Sequence, residues 1–212
     1  MTLPDLVFLL SALATAGTLV RGIYLLARRR GAQAVRVARR WAVGAAAYFA
    51  ILVIVSFTQP QRVVMVGAEN CADDWCITVD SVTYADTIGG ERAAGRWLIV
   101  HARVSSHMRA RRQSEPDAYG YLIDAAGTVI QQSERGQRSL ERTGRAGNPL
   151  GAFVEPDGAF AGNLVFDVHR EAGRVGFVKE RRSRFPGTII IDDGTSLFHK
   201  RTIVPIDVNG IP

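Results

Sequence analysis

Two long uncharged stretches near the amino terminus constrain this chain more than any other feature. Residues 6–27 are uncharged apart from Arg21, and residues 41–58 contain no charged residue at all. The hydrocarbon core of a bilayer is about 30 Å thick, and a helix of about 20 apolar residues crosses it. The pattern therefore predicts two membrane-spanning helices, at about 6–27 and 41–58, with a separate domain over residues 59–212.

The connection between the two stretches, residues 28–40, predicts the orientation of the chain. It carries six arginines: Arg28, Arg29, Arg30, Arg36, Arg39 and Arg40. Short loops this basic stay on the cytoplasmic side of a membrane. We therefore expect a protein of the bacterial inner (plasma) membrane, N-out and C-out, with its large C-terminal domain in the periplasm or extracellular space. A cleaved signal peptide is the alternative for the first stretch, but it needs a basic start, and residues 1–5 contain no Lys or Arg.

The net charge of +6 arises entirely from this N-terminal region. Residues 1–58 contain seven arginines and one acid, Asp5, whereas residues 59–212 contain equal numbers of basic and acidic residues. A domain that binds nucleic acid needs a positive field of its own. The neutral C-terminal domain therefore argues against nucleic acid, and we expect the lipid bilayer and integral membrane protein subunits as partners.

Small residues and one arginine mark a candidate contact surface on the first helix. Ala12 and Ala16 lie four residues apart, so they share a helix face that a neighbouring backbone can approach closely. Arg21 lies inside the first span, and the second span contains no acid to pair with it. Two interpretations stay open. Either the two helices pack on each other and Arg21 extends its side chain to the interface, or these residues contact a partner subunit or a lipid headgroup.

Beyond residue 58 the apolar runs become short and alternate with polar residues. The candidate strands are 62–66, 77–84, 97–105, 119–124, 129–132, 152–155, 161–168, 175–179, 188–191 and 199–205. Turn signals such as Asp192-Asp193-Gly194 separate them. Many short strands at this spacing predict a β-sandwich or barrel. No segment keeps a helical period over three turns, so residues 133–148 are expected to form a long polar loop.

Three pieces of this domain resemble one bacterial family: the strand 96–104, the turn 121–127, and the turn 155–158 followed by the strand 162–168. On these pieces, residues 95–178 are similar to the uncharacterised immunoglobulin-like β-sandwich of bacterial lipoproteins and membrane-anchored surface proteins. In that family a proline–glycine turn leads into a strand that ends Phe-Asp-Val. Here Asp157 separates the proline from the glycine, and a polar insertion follows Gln132. The resemblance implies a mainly β ectodomain, an immunoglobulin-like β-sandwich, on an α-helical two-span membrane hairpin, and it implies no activity.

Cys71 and Cys76 are the only two cysteines of the chain. Outside the cytoplasm a disulfide is the default state of such a pair, so we expect a Cys71–Cys76 bridge. A metal site formed by the two thiolates with Asp73 or Asp74 is the alternative. Soft sulfur and hard carboxylate ligands combine poorly, and no histidine lies nearby in the sequence, so we expect no metal.

The sequence contains no recognised catalytic pattern. Its four histidines form neither H-E-x-x-H nor H-x-H, and neither G-x-S-x-G nor a Walker loop is present. We therefore expect no enzyme activity and no cofactor. Arginines in polar segments are further candidates for contact with a partner or with lipid headgroups, namely Arg109, Arg111, Arg112, Arg138 and Arg142. The alternative for these residues is ordinary solvated surface charge.

These features favour a protein that acts by contact. We expect a non-catalytic accessory or structural subunit of a larger inner-membrane complex, such as a respiratory, photosynthetic or transport complex. Its hairpin would pack at the edge of the complex, and its β-sandwich would contact the outer face. The alternative is a membrane-anchored extracytoplasmic sensor or adhesion module that binds a ligand or an envelope polymer, which needs a concave site with converging polar groups.

Overall fold

A computed structural model describes residues 3–72, 74–181, 187–191 and 196–208 of the chain. Contacts divide the chain into two compact units. The first consists of the described residues of Met1–Pro60 and Arg184–Lys200, and the second of those of Gln61–Ser183 and Arg201–Pro212. The Asp192-Asp193-Gly194 turn expected from the sequence lies outside the described residues.

The first unit contains two long helices, α1 at Leu3–Ala27 and α2 at Gly31–Thr58. At 1.5 Å per residue they are about 38 Å and 42 Å long. Both are long and apolar enough to cross a membrane, and unlike the core helix of a soluble domain they bury 0% and 11% of their most apolar segments. A connection of three arginines joins them, and Arg29 adopts a positive φ of 55° there.

The segment expected as a loop over residues 28–40 is therefore helical from Gly31 onward. Alanine and arginine are good helix formers, and they make up most of this segment. Ala34 is only 8% exposed. The helix thus continues because its local sequence favours it and because one of its faces packs.

The packed face of α1 consists of residues spaced alternately three and four apart: Phe8, Ser11, Thr15, Thr18, Gly22 and Leu25. The indole N–H of Trp41 on α2 donates a hydrogen bond to the Thr15 hydroxyl at 3.2 Å. Small residues on this face allow the helix backbones to come close. Ala12 and Ala16 lie outside it and are exposed.

A short segment from late in the chain completes the first unit. Its 3₁₀ turn, Gly187–Ile189, lies beside α2, where the Tyr48 hydroxyl donates to the Ile189 carbonyl at 2.7 Å. Further along α2 the Phe57 and Phe198 rings stack at 5.4 Å. Residues 188–191 were expected to form a strand, and that expectation is wrong because they pack on a helix instead of a sheet.

The second unit is a β-sandwich. One sheet has the strand order β1-β2-β3-β6 and the other β5-β4-β7-β8, and every pairing in both is antiparallel. The strands are β1 Glu69–Ala72, β2 Trp75–Ile88, β3 Glu91–Ser106, β4 Ala118–Asp124, β5 Val129–Ile130, β6 Ala159–Val168, β7 Arg174–Arg181 and β8 Val204–Asp207. The predicted β-sandwich is confirmed.

The core lies between the two sheets. Leu98, Val100, Ala102 and Val104 of β3 all belong to it, as their alternation in the sequence predicts. The candidate strands 62–66 and 152–155 reduce to isolated bridges at Val63 and Val154.

A helix, α3 at Glu134–Arg142, occupies the segment expected to be a long loop, so that expectation is wrong. The Ser133 hydroxyl caps it by accepting a hydrogen bond from the Gly136 N–H at 3.2 Å. Leu140 is 1% exposed and joins a second apolar cluster with Ile88, Trp97, Ile99 and Val165. At nine residues α3 is too short to show three turns of periodicity, but its cap and its apolar contacts with the sheet hold it in place.

Candidate functional site

A groove of about 920 Å³ runs along the helix pair of the first unit. Ala12, Ala16 and Arg21 from α1 line it together with Arg40 from α2. The structure thus brings together the three residues of the first helix that the sequence marks as candidate contacts. No Asp or Glu occurs among the described residues that line the groove.

The two arginines are concentrated toward the end of the groove nearer the helix connection. The Trp41–Thr15 hydrogen bond fixes the register of the helices, so Arg40 lies close to the level of Ala16. Arg21 lies six residues beyond Thr15, about 9 Å nearer to the connection. Asp5, the one acid of residues 1–58, is ten residues away in the opposite direction, about 15 Å along α1. Within the described part of α1 and α2, no carboxylate therefore lies at the level of these two arginines.

The remaining arginines of the 28–40 segment lie on the exposed surface of the same end of the helix pair. Arg28, Arg29, Arg30, Arg36 and Arg39 are all exposed. The Arg28 guanidinium lies 5.4 Å from the centre of the Tyr24 ring. One end of the hairpin is thus strongly basic, which is the asymmetry that the orientation prediction uses.

In the second unit, the arginines of the 109–112 loop form one exposed patch. Arg109 lies 3.9 Å from Asp157 and is 90% exposed. Arg112 lies 4.6 Å from the centre of the Phe153 ring, which is itself 61% exposed. Arg111 is exposed as well. Exposed ion pairs of this kind contribute little to stability, so the patch is available for contact.

Arg138 and Arg142, expected in a loop, lie on α3 and make local contacts. Arg138 pairs with Glu134 one turn earlier at 3.5 Å, and Arg142 donates to the Ser139 hydroxyl at 2.7 Å. The structure places them on a different element from Arg109, Arg111 and Arg112.

The predicted disulfide between Cys71 and Cys76 is confirmed. The two residues face each other directly in the pairing of β1 with β2, so the bridge ties the edge strand to its neighbour. Trp75 beside it is 1% exposed and belongs to the sandwich core. The Lys179 ammonium lies 4.9 Å from the centre of its ring.

The side chains of Glu69 and His107 lie against the disulfide. His107 Nε2 is 3.1 Å from Glu69 Oε2, and the Ser105 hydroxyl donates to Glu69 Oε1 at 3.3 Å. One ligand atom each from Glu69, Cys71, Cys76 and His107 lies within 4.8 Å of the others. No histidine is near the cysteines in the sequence, but His107 lies beside them in space, because β3 ends beside the start of β2. Asp73, an expected alternative ligand, lies outside the described residues.

A cleft of about 530 Å³ with both apolar and polar lining residues lies on the second unit between α3, β4 and residues 146–152. Two of its side-chain amides bond to each other, since Gln132 donates a 2.8 Å hydrogen bond to Gln137. Tyr119, Glu141 and Asn148 also line it. The cleft offers hydrogen-bonding groups for a polar ligand.

A partly buried polar network on the second sheet raises the pKa of Tyr121. The Tyr119 and Tyr121 hydroxyls both donate to Glu180 Oε2, at 2.8 Å and 3.1 Å. The guanidinium of Arg201 lies 3.7 Å from the other oxygen of Glu180. Burial and then the negative charge of Glu180 raise the pKa of Tyr121 well above its usual value of 10.0.

No protein-family model matches the chain, and no curated protein matches it. Several solved structures are similar to part of it, among them the following three. A conserved hypothetical protein from Bacillus anthracis is 14% identical with a TM-score of 0.46, covering 54% of this chain and 88% of its own. An uncharacterised β-sandwich protein from Clostridium difficile is 9% identical with a TM-score of 0.43, covering 70% and 96%. A secreted protein from Mycobacterium tuberculosis is 14% identical with a TM-score of 0.39, covering 56% and 90%. Likenesses of this size carry no argument about activity, ligand or partner.

Proposed function

We propose that the protein is a non-catalytic accessory or structural subunit of a larger inner-membrane complex, of the respiratory, photosynthetic or transport kind. The observation that carries this proposal is the groove on the helix pair. It exposes Ala12 and Ala16 along one wall and has two arginines at one end, with no acid among its described lining residues.

The groove favours a transmembrane helix of another subunit as its occupant. Helices in lipid gain little from the hydrophobic effect, so they associate where small residues let backbones pack closely. The partner helix would carry an Asp or Glu at the depth of Arg21 and Arg40, because a carboxylate there pairs with a guanidinium in a medium of low dielectric.

The proposed orientation is N-out and C-out in a bacterial inner membrane. In this orientation the basic end of the hairpin lies in the cytoplasm and the β-sandwich lies in the periplasm or extracellular space. The resemblance of residues 95–178 to immunoglobulin-like domains of lipoproteins and membrane-anchored surface proteins fits that placement. The exposed Arg109–Arg112 patch would then contact the outer face of the complex.

The experiment fills the groove and asks whether the partner is lost. Ala12→Leu with Ala16→Leu adds two large side chains to the groove wall. Ala42→Leu with Ala46→Leu is the matched control, since it makes the same change at the same spacing on exposed residues outside the groove. Each full-length variant is purified in a mild detergent, and co-migrating proteins are identified by mass spectrometry. We expect the groove variant to insert normally and lose its partner while the control keeps it.

A second pair of variants tests whether Arg21 pairs with a carboxylate of the partner or only extends its side chain to the membrane–water interface. Lysine extends to the interface as arginine does, but it cannot make the two parallel hydrogen bonds of a guanidinium. Arg21→Lys should therefore weaken the complex if Arg21 pairs with a carboxylate, and Arg21→Leu should abolish it. Migration of the wild-type protein alone, or equal behaviour of the groove and control variants, would refute the subunit proposal.

A second candidate function is an extracytoplasmic sensor or adhesion module, and the cleft between α3, β4 and residues 146–152 favours it. Tyr119, Glu141 and Asn148 supply the kind of polar groups that bind a saccharide or peptide of the cell envelope. Thermal-shift titration of the full chain with envelope glycan fragments tests this function. A shift that Asn148→Ala removes and the exposed Arg174→Ala keeps would support it, and no shift with any fragment would reject it.

A further inference from the structure

The first observation is that three adjacent strands bring four potential metal ligands to one surface. Glu69 and Cys71 are two residues apart on β1, so their side chains share a face. Cys71 pairs with Cys76 on β2, and Cys76 pairs with Ser105 on β3. His107 follows two residues after Ser105, where its N–H donates to the Asp74 carbonyl at 2.8 Å.

We propose that the reduced form of the protein binds a zinc ion through Cys71, Cys76, His107 and Glu69. Zinc takes four ligands in a tetrahedron, with bonds that place the ligand atoms about 3.3–3.8 Å apart. Here the four atoms lie within 4.8 Å of one another while the two sulfurs are still bonded. The site forms once the S–S bond is broken, the sulfurs move apart, and the more distant ligand atoms come about 1 Å closer. Two thiolates and the His107 imidazole, which the sequence does not place beside the cysteines, favour zinc over magnesium or calcium, which take oxygen ligands. Zinc also accepts a carboxylate as its fourth ligand.

The oxidation state of the cysteines controls the site. In the disulfide form each sulfur is bonded to the other, and only the Glu69–His107 pair remains available. A dithiol reductant breaks the S–S bond by giving two electrons and two protons, and it leaves as a cyclic disulfide. Zinc then displaces the two thiol protons into solvent. The ion would hold β1 against β2 and β3 where the disulfide held it before, so the edge strand is cross-linked in both states.

The zinc titration uses the full chain in detergent. One sample keeps its disulfide, and the other is reduced with a dithiol that is then removed under anaerobic conditions. Zinc affinity is measured by competition with a chromophoric chelator, and cobalt serves as a spectroscopic probe for thiolate ligands. We expect one zinc per chain in the reduced protein, with release of two protons, and no binding by the oxidised protein at the same concentrations.

Variants identify the ligands beyond the two cysteines. His107 and Glu69 are about half exposed, so His107→Ala and Glu69→Gln leave the fold intact. Each should weaken zinc binding by the reduced protein at least tenfold. His169→Ala and Glu155→Gln are the matched controls, because both residues are exposed and lie outside the cluster.

Three outcomes would overturn the proposal. The reduced protein binds no zinc, the oxidised protein binds it as tightly, or His107→Ala and Glu69→Gln bind as the wild type does. Circular dichroism of the reduced chain is recorded in parallel. Loss of the sheet signal that zinc does not restore would overturn the proposal as well, since it would show that the reduced ligands no longer meet.

Discussion

Replacing Gly136 with alanine tests whether α3 is docked on the sheet. For a helix that is free in solvent, alanine is the better residue, and the change stabilises it by about 0.5–1 kcal/mol. For the docked helix, a Cβ at this position would lie 2.6 Å from Val165 Cγ1 and 3.0 Å from the Trp97 ring. The two situations therefore predict opposite signs.

The magnitude follows from what surrounds the new methyl group. Val165 and Trp97 are both 0% exposed, so neither can move into solvent to make room. Overfilling a packed core costs about 1–3 kcal/mol. After subtraction of the gain in helix propensity, we expect Gly136→Ala to lower the free energy of unfolding by about 1 kcal/mol, and by no more than about 2.5 kcal/mol.

The assay is equilibrium unfolding of the full chain in detergent, followed by tryptophan fluorescence and by circular dichroism at the sheet band. Arg138→Ala is the control, since Arg138 is 66% exposed on the same helix and its ion pair is worth little. We expect the control to change stability by less than about 0.5 kcal/mol. A Gly136→Ala protein more stable than the wild type would refute the docking of α3.

Three further predictions follow from the disulfide, the orientation and the tyrosine network. Cys71→Ser should cost only about 2 kcal/mol, because the bridge closes a short loop, and intact-mass measurement of the wild type should show a deficit of two hydrogens that reduction restores. A cysteine at Gln33 should resist a membrane-impermeant thiol reagent in intact cells, whereas one at the exposed Arg111 should react once any outer membrane is permeabilised; the reverse pattern would overturn the orientation. Because the pKa of Tyr121 is raised in the folded state, its contribution to stability is complete below pH 10 and declines as the pH rises above 10; Tyr121→Phe should flatten that alkaline decline in unfolding titrations.

The helix pair, the sandwich and the disulfide were predictable because each has a local signal. Long uncharged runs mark α1 and α2, and alternation of apolar and polar residues marks the inward face of β3. With two cysteines in the chain, each has only the other as a possible partner within it. The structures of residues 31–40 and of residues 187–191 were harder to predict from the sequence. Residues 31–40 are polar enough to read as a loop, yet they have high helix propensity. The β-branched run at residues 188–191 favours a strand, whereas the Ile189 carbonyl accepts a hydrogen bond from Tyr48 on α2.

The ligand cluster was not predictable, because it depends on strand register. Glu69 and His107 are 38 residues apart, and they meet only because β1, β2 and β3 pair in one particular alignment. A shift of that alignment by one residue would turn every side chain of a strand to the opposite face. No local pattern fixes the register of three strands, so the cluster is a property of the tertiary fold alone.

The α3 helix is partly predictable, because the sequence of β3 shows the surface on which it docks. Strict alternation predicts one apolar and one polar face, but the run Trp97–Val100 is apolar on both faces. A strand with two apolar faces needs cover on both. The opposite sheet covers Leu98 and Val100, so Trp97 and Ile99 require a second cover. The segment that starts at the capping residue Ser133 contains Leu140, which makes it the element that fits this requirement.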